Sequence, residues 1–144
     1  MNNKLSESKL IKLVLDSFEA EKSNDVSIGT QLITKDFKMR SMSVYNKNIF
    51  PVFGNGELLT DLKKAFSIKG KEFCVWNCAA NVKTQTVFVE LAEVEPTKKG
   101  PIIWPYALIC QIENGKIKRS RHYGDPALLK ENLSIQDIRS VIEE

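Results

Sequence analysis

Apolar residues near the start of the chain recur at helical spacing. Leu10, Ile11, Val14, Leu15 and Phe18 fall on one stripe, the pattern of a helix with one buried face. Glu19, Glu21 and Lys22 lie beyond that stripe, and Ser23-Asn24-Asp25 supplies a turn. A short helical turn is expected over Ser27–Ile33, and weak alternation over Phe37–Ser43 suggests a first strand. A third helix is better marked. Asn55 can cap it, Glu57 sits in its first turn, and Leu58, Leu59, Leu62, Ala65 and Phe66 form its apolar stripe. Lys69-Gly70-Lys71 ends the helical region.

From Phe73 onward the period falls to two, and strand-like runs are expected at 72–81, 84–95, 102–113 and 116–123. Asn114-Gly115 between the last two favours a two-residue hairpin, because both residues tolerate positive φ. Asp125-Pro126 reads as a cap and first position of a final helix. Three helices segregated from a mostly antiparallel sheet make an α+β fold, expected as one domain over residues 1–144. A twisted sheet with helices on one side encloses a cavity, which Met39, Met42 and Phe66 are large enough to fill.

Composition narrows the function classes. The 144 residues carry 21 basic and 18 acidic side chains, a net charge of +3. That excess is too small and scattered for a nucleic-acid surface. The longest apolar run, 101–110, is too short for a membrane span and holds two prolines. The N-terminus lacks a signal-peptide core, and the cysteine count, three, is odd, so a cytoplasmic location is expected. The single histidine leaves no convincing metal-ligand set, and no glycine-rich phosphate loop is present, so cofactor-free chemistry is expected.

The stretch Thr86–Glu93, followed by Trp104–Pro126 with Asn114-Gly115-Lys116-Ile117, an arginine-bearing strand and Tyr123-Gly124-Asp125-Pro126, resembles the C-terminal hairpin of the nuclear transport factor two-like superfamily. That superfamily includes ketosteroid isomerases, limonene epoxide hydrolases, SnoaL-like polyketide cyclases and phenazine-biosynthesis proteins. Phe88-Val89-Glu90 and Lys116-Ile117-Lys118-Arg119 look closest to the phenazine type. The resemblance implies a cone-shaped domain, with the three helices on the concave face of a curved sheet. It also implies a pocket for a small apolar or aromatic ligand, and a homodimer through the outer sheet face. His122, seven after Gly115, takes the position of a catalytic carboxylate in these relatives. Leu91 and Glu93 take the positions of the epoxide hydrolases' arginine and aspartate, and Met39 and Ser41 those of their tyrosine and asparagine. The arginine and tyrosine thus have no counterpart here, which argues against epoxide hydrolysis.

Strand alternation extends the reading. If His122 faces the pocket, Ser120 does too, while Arg121 and Tyr123 point away. The same parity offers Val89, Leu91 and Glu93, then Trp104, Tyr106 and Leu108. Glu93 and His122 are expected as an acid/base pair and Tyr106 as a donor to a developing oxyanion. Trp104, Leu91, Leu108, Ser41, Met39 and Ser120 would hold a substrate. Core packing also accounts for Trp104 and Tyr106, and a structural hydrogen-bonding role for His122; both readings stand at this point. The expected function is a cofactor-free isomerase or cyclase acting on an apolar aromatic or polyketide-like molecule, or alternatively a non-catalytic ligand-binding or accessory dimerisation module of the same fold.

Overall fold

The computed structural model describes residues 4–45, 47–53 and 58–144. Helix α1 spans Glu7–Lys22, with Glu7 and Lys22 placed to complement its dipole. Leu10, Leu13, Val14 and Phe18 form its buried face. The chain leaves α1 through Asn24, whose φ of 60° turns it sharply. Asp25 then caps α2 (Val26–Leu32) by accepting from the Ile28 N–H. That short helix runs straight into β1 (Ile33–Ser41). A small hairpin follows, β2 (Val44–Tyr45) with β3 (Asn48–Ile49), and then the short β4 (Val52–Phe53). Helix α3 covers Leu58–Ala65. The Asn24 side-chain amide donates to the carbonyls of Phe66 and Ile68, at 2.6 and 3.0 Å, tying the exits of α1 and α3 together.

The meander is β5 (Glu72–Asn81), β6 (Thr86–Glu95), β7 (Ile102–Glu113) and β8 (Lys116–Tyr123). Asn114 and Gly115 both take positive φ, 51° and 75°, in the β7–β8 turn. The main sheet has the order β4-β1-β8-β7-β6-β5. Register shifts interrupt the β1–β8, β5–β6 and β7–β8 pairs. Such bulges add bend and twist, which curves the sheet around its inner face.

Inner-face residues Val87, Val89, Leu91, Leu108, Cys110 and Ile117 pack against Leu10, Leu13, Val14 and Phe18 of α1 to form the main core. Full burial of each large side chain stabilises the fold by roughly 1.5–3 kcal/mol.

The fold class is α+β, as the periodicity predicts, with several corrections. The sheet is mixed, because β1 runs parallel to β8, with Ser41 beside His122. Alternation reports which face a side chain takes and is silent on strand direction. In α3, Leu59 is exposed; Leu58 and Leu62 lean on the core and Phe66 is buried. The expected cap at Asn55 and first-turn Glu57 lie outside the described residues.

The C-terminal segment also departs from a single helix. Asp125 caps only a 3-10 turn at Pro126–Lys130. A separate helix α4, Ile135–Ile142, follows behind a Ser134/Asp137 capping box. Its Ile138 packs with Ala92 and Ile103, against Trp76 and Val94, on the outer face of the sheet. Ile138→Ala is expected to lower stability by about 2 kcal/mol or more, read by urea denaturation. An unchanged midpoint would show that α4 does not hold the outer face.

Candidate functional site

Between the inner sheet face and the helices lies a cavity of about 610 Å³. It remains open although Met39 and Phe66 lie on its wall. Its volume falls within the roughly 300–1,000 Å³ usual for small-molecule sites.

The aromatic wall comes from β7 and β8. Trp104 and Tyr106 alternate inward on β7, with ring centroids 4.8 Å apart. Tyr106 then stacks on His122 of β8 at 4.9 Å, with the planes only 9° from parallel. Gly124 makes room for this wall, since a Cβ there would lie 2.9 Å from the Tyr106 Cβ and 3.0 Å from Trp104. The Trp104 indole N–H donates to the Asp125 carbonyl at 3.3 Å, which fixes the ring against the strand exit.

At the far side of the wall is a buried charge cluster. The Lys71 ammonium lies 2.7 Å from Glu21 on α1 and 2.7 Å from Glu93 on β6. Lys71 is only 4% exposed, so it needs both partners. The Tyr106 hydroxyl donates to the other Glu93 oxygen at 3.2 Å. Local sequence explains the convergence. Glu21 lies one turn beyond Phe18 on the same helix face, and Lys71 shares the inward parity of Phe73. Phe73 stacks on Phe18 at 4.9 Å and so closes this end.

Electrostatics follow from the geometry. Desolvation works against the Lys71 charge, but attraction to Glu93 and Glu21 outweighs it and the ammonium is held above its ordinary pKa. Burial raises the Glu21 carboxyl, with Lys71 opposing. Burial, and then the Glu93 charge, push the Tyr106 phenol well above 10.0, so it keeps its proton. Desolvation pushes His122 from 6.5 down to about 4, against the pull of Glu93. The imidazole is therefore neutral at physiological pH. Among the described residues no hydrogen bond reaches its ring nitrogens.

Of the residues expected at the site, Met39, Ser41, Glu93, Trp104, Tyr106, Leu108, Ser120 and His122 all line the cavity. Leu91 does not; it is fully buried in the core against α1. The expected Glu93–His122 pair makes no hydrogen bond or ion pair; the Glu93 carboxylate is bound by Lys71 and Tyr106 instead, and acts on His122 only through its charge. Tyr106 directs its one proton to Glu93, so it is not poised as an oxyanion donor. Ser41 and Ser43 hydroxyls share a hydrogen bond of 2.7 Å beside the histidine strand. Lys71 and Glu21 join the site although the sequence marks neither for it: Glu21 lies beyond the apolar stripe of α1, and Lys71 sits in the Lys69-Gly70-Lys71 segment before β5. Among the described residues no cluster of three His, Cys, Asp or Glu side chains could hold a metal ion. No helix among them is long and apolar enough to cross a membrane.

No family model and no curated protein matches this chain. Solved structures do. The BvnE pinacolase from Penicillium brevicompactum is similar with a TM-score of 0.71 and 13% identity, covering 95% of this chain and 98% of that one. An epoxide hydrolase of M. tuberculosis, described as LEH-like, is similar with a TM-score of 0.69 and 14% identity, covering 96% and 98%. A de novo designed protein with a curved β-sheet is similar with a TM-score of 0.63 and 16% identity, covering 96% and 98%. Such low identities establish the fold alone, and a designed scaffold among the matches underlines that fold does not carry function. The chain has a cystatin-like fold, the fold of a similar solved protein from Methylobium petroleophilum with a TM-score of 0.69 and 14% identity.

The neutral histidine has a measurable signature. NMR of the single histidine is expected to show a titration near pH 4. Because the folded pKa lies below the unfolded 6.5, this group's stabilising contribution is present above 6.5 and is lost as pH falls from there through 4. Relative to His122→Gln, the native protein should therefore lose more stability between pH 7 and pH 5. A titration near 6.5 would refute the desolvated placement.

Proposed function

We propose that this protein binds a flat, uncharged aromatic or polyketide-like molecule in the cavity and isomerises or cyclises it by cofactor-free proton transfer at His122. The observation that carries this reading is the imidazole itself. It is stacked on Tyr106, faces a mainly apolar hollow and has ring nitrogens unclaimed by the described residues. A neutral imidazole can donate from one nitrogen to a ligand carbonyl and accept a proton at the other. Its lowered pKa keeps the ring in the neutral form, whose free nitrogen takes the proton from the C–H beside the ligand carbonyl, leaving an enolate and an imidazolium that returns the proton to another carbon. Glu93, although bridged by Lys71, still favours the imidazolium that forms. Trp104 and Leu108 supply the flat apolar contact. The pinacolase and the epoxide hydrolase with this fold support a scaffold suited to such work.

A second reading, a non-catalytic binding module, is favoured by one feature: Glu93 is already engaged by Lys71. The bicyclic ketone 2-tetralone separates the two. Trp104 lines the cavity, whereas Trp76 packs under α4, so Trp76→Phe leaves Trp104 as the fluorescent reporter. Binding should quench it. In D₂O the enzyme reading predicts accelerated deuterium uptake next to the ketone, lowered by about a hundredfold in His122→Gln. Quenching without accelerated uptake would select the binding module, and no quenching would contradict both.

We further propose a homodimer in the cytoplasm, where the free thiols of Cys74, Cys78 and Cys110 stay reduced. The outer face left uncovered by α4 carries Phe88 and Tyr123, 44% and 40% exposed. Glu90 and Arg121 flank this patch with opposite charges, which suits a two-fold contact. Sedimentation should give a dimer for the native chain and a monomer for Phe88→Glu. A native monomer would contradict the assembly.

A further inference from the structure

The residue at the back of the site that the proton chemistry leaves unused is Lys71. It is a nearly inaccessible ammonium at the start of β5, and burying such a charge is tolerated only with close partners. Its partners come from different layers of the fold: Glu21 from the helical layer and Glu93 from the sheet, each 2.7 Å away. From Glu93 the contacts run on through the Tyr106 hydroxyl at 3.2 Å and the Tyr106 ring to the parallel face of His122 at 4.9 Å. Lys71 thus sits at one end of a continuous set of contacts and the proton-handling ring at the other.

We propose that Lys71 is a positioning residue for His122: by clamping Glu93 against Glu21 it compensates the carboxylate that acts on the imidazole, and so keeps that ring uncharged and available to a neutral oxygen group. The inference rests on the assignment of His122 as the proton-handling group.

The other charged groups around the cavity do not duplicate this role. Glu95 from β6 and Lys64 and Asp61 from α3 also line the cavity, with Tyr106 and Cys110 from β7. Glu93 is the group whose charge reaches His122 and opposes its desolvation. Both Tyr106 and Cys110 are pushed toward their neutral forms, Cys110 to about 12, so neither adds charge at neutral pH. An unscreened Glu93 would favour the imidazolium. Two carboxylates without the ammonium would repel each other, and one of them would loosen its hold on Tyr106.

The test needs no ligand, so its outcome is independent of whether 2-tetralone binds or turns over. The single histidine is followed by NMR in the full chain. Lys71→Met is expected to raise the proton affinity of His122 by about tenfold or more. Lys71→Arg, which keeps the charge and both carboxylate contacts, should return the titration to the native position. Because Lys71→Met leaves two buried carboxylates facing each other, the paired variant Lys71→Met/Glu21→Gln removes one of them. It should fold more readily and still show the upward shift. An unchanged His122 titration in either folded variant would overturn the proposal. Failure of both to fold, with Lys71→Arg folded and native-like only in stability, would assign Lys71 to the fold rather than to His122 and would overturn it too.

Discussion

A lysine shut away from water is the constraint around which this structure is arranged. The ammonium of Lys71 has two carboxylates within 2.7 Å, and it draws them from α1 and β6. That requirement joins the helical layer to the sheet at a fixed separation. Breaking a buried pair by deleting one partner costs about 3–5 kcal/mol. The same bridge fixes how Glu93 is used: one oxygen serves Lys71 and the other receives Tyr106.

The cavity follows from the geometry around this bridge. Bulges bend the sheet, α1 covers the end where Leu91 and Val89 pack, and the β7–β8 end stays open in front of Trp104, Tyr106 and His122. Polar atoms are few on this wall, and the groups nearest the histidine are mostly neutral. Such a site discriminates by shape and by one or two hydrogen bonds. A similar backbone occurs in a pinacolase, in an epoxide hydrolase and in a designed protein. Chemistry on this scaffold therefore depends on which side chains the inner strands present, and here the presented set is a neutral histidine in an aromatic wall.

Much of the architecture was readable from periodicity alone. Helix α1, the four long meander strands and the Asn114-Gly115 turn each have a local cause, an apolar stripe, an alternation or a tolerance for positive φ, and local causes leave marks in sequence. Parity likewise brought the inward residues of β6, β7 and β8 to one surface. What was not readable depends on contacts between distant segments. The parallel pairing of β1 with β8 has no local signature. Leu91 and Glu93 share a parity, yet α1 covers one and leaves the other beside the cavity. Lys71 follows a glycine and looks like an ordinary loop lysine. Only the approach of Glu21, fifty positions earlier, makes it a buried charge. The Ser134/Asp137 capping box is a local mark of α4, whereas Asp125-Pro126, the expected start of the final helix, caps only a 3-10 turn.

On the proposed function an uncharged ligand meets the neutral His122 ring inside the cavity. A crystal structure of the protein soaked with 2-tetralone would show that meeting. The ketone should lie along Trp104, with its oxygen within hydrogen-bonding distance of a His122 ring nitrogen. A cavity left without ketone at saturating concentration, or a ketone whose oxygen points away from His122, would contradict it.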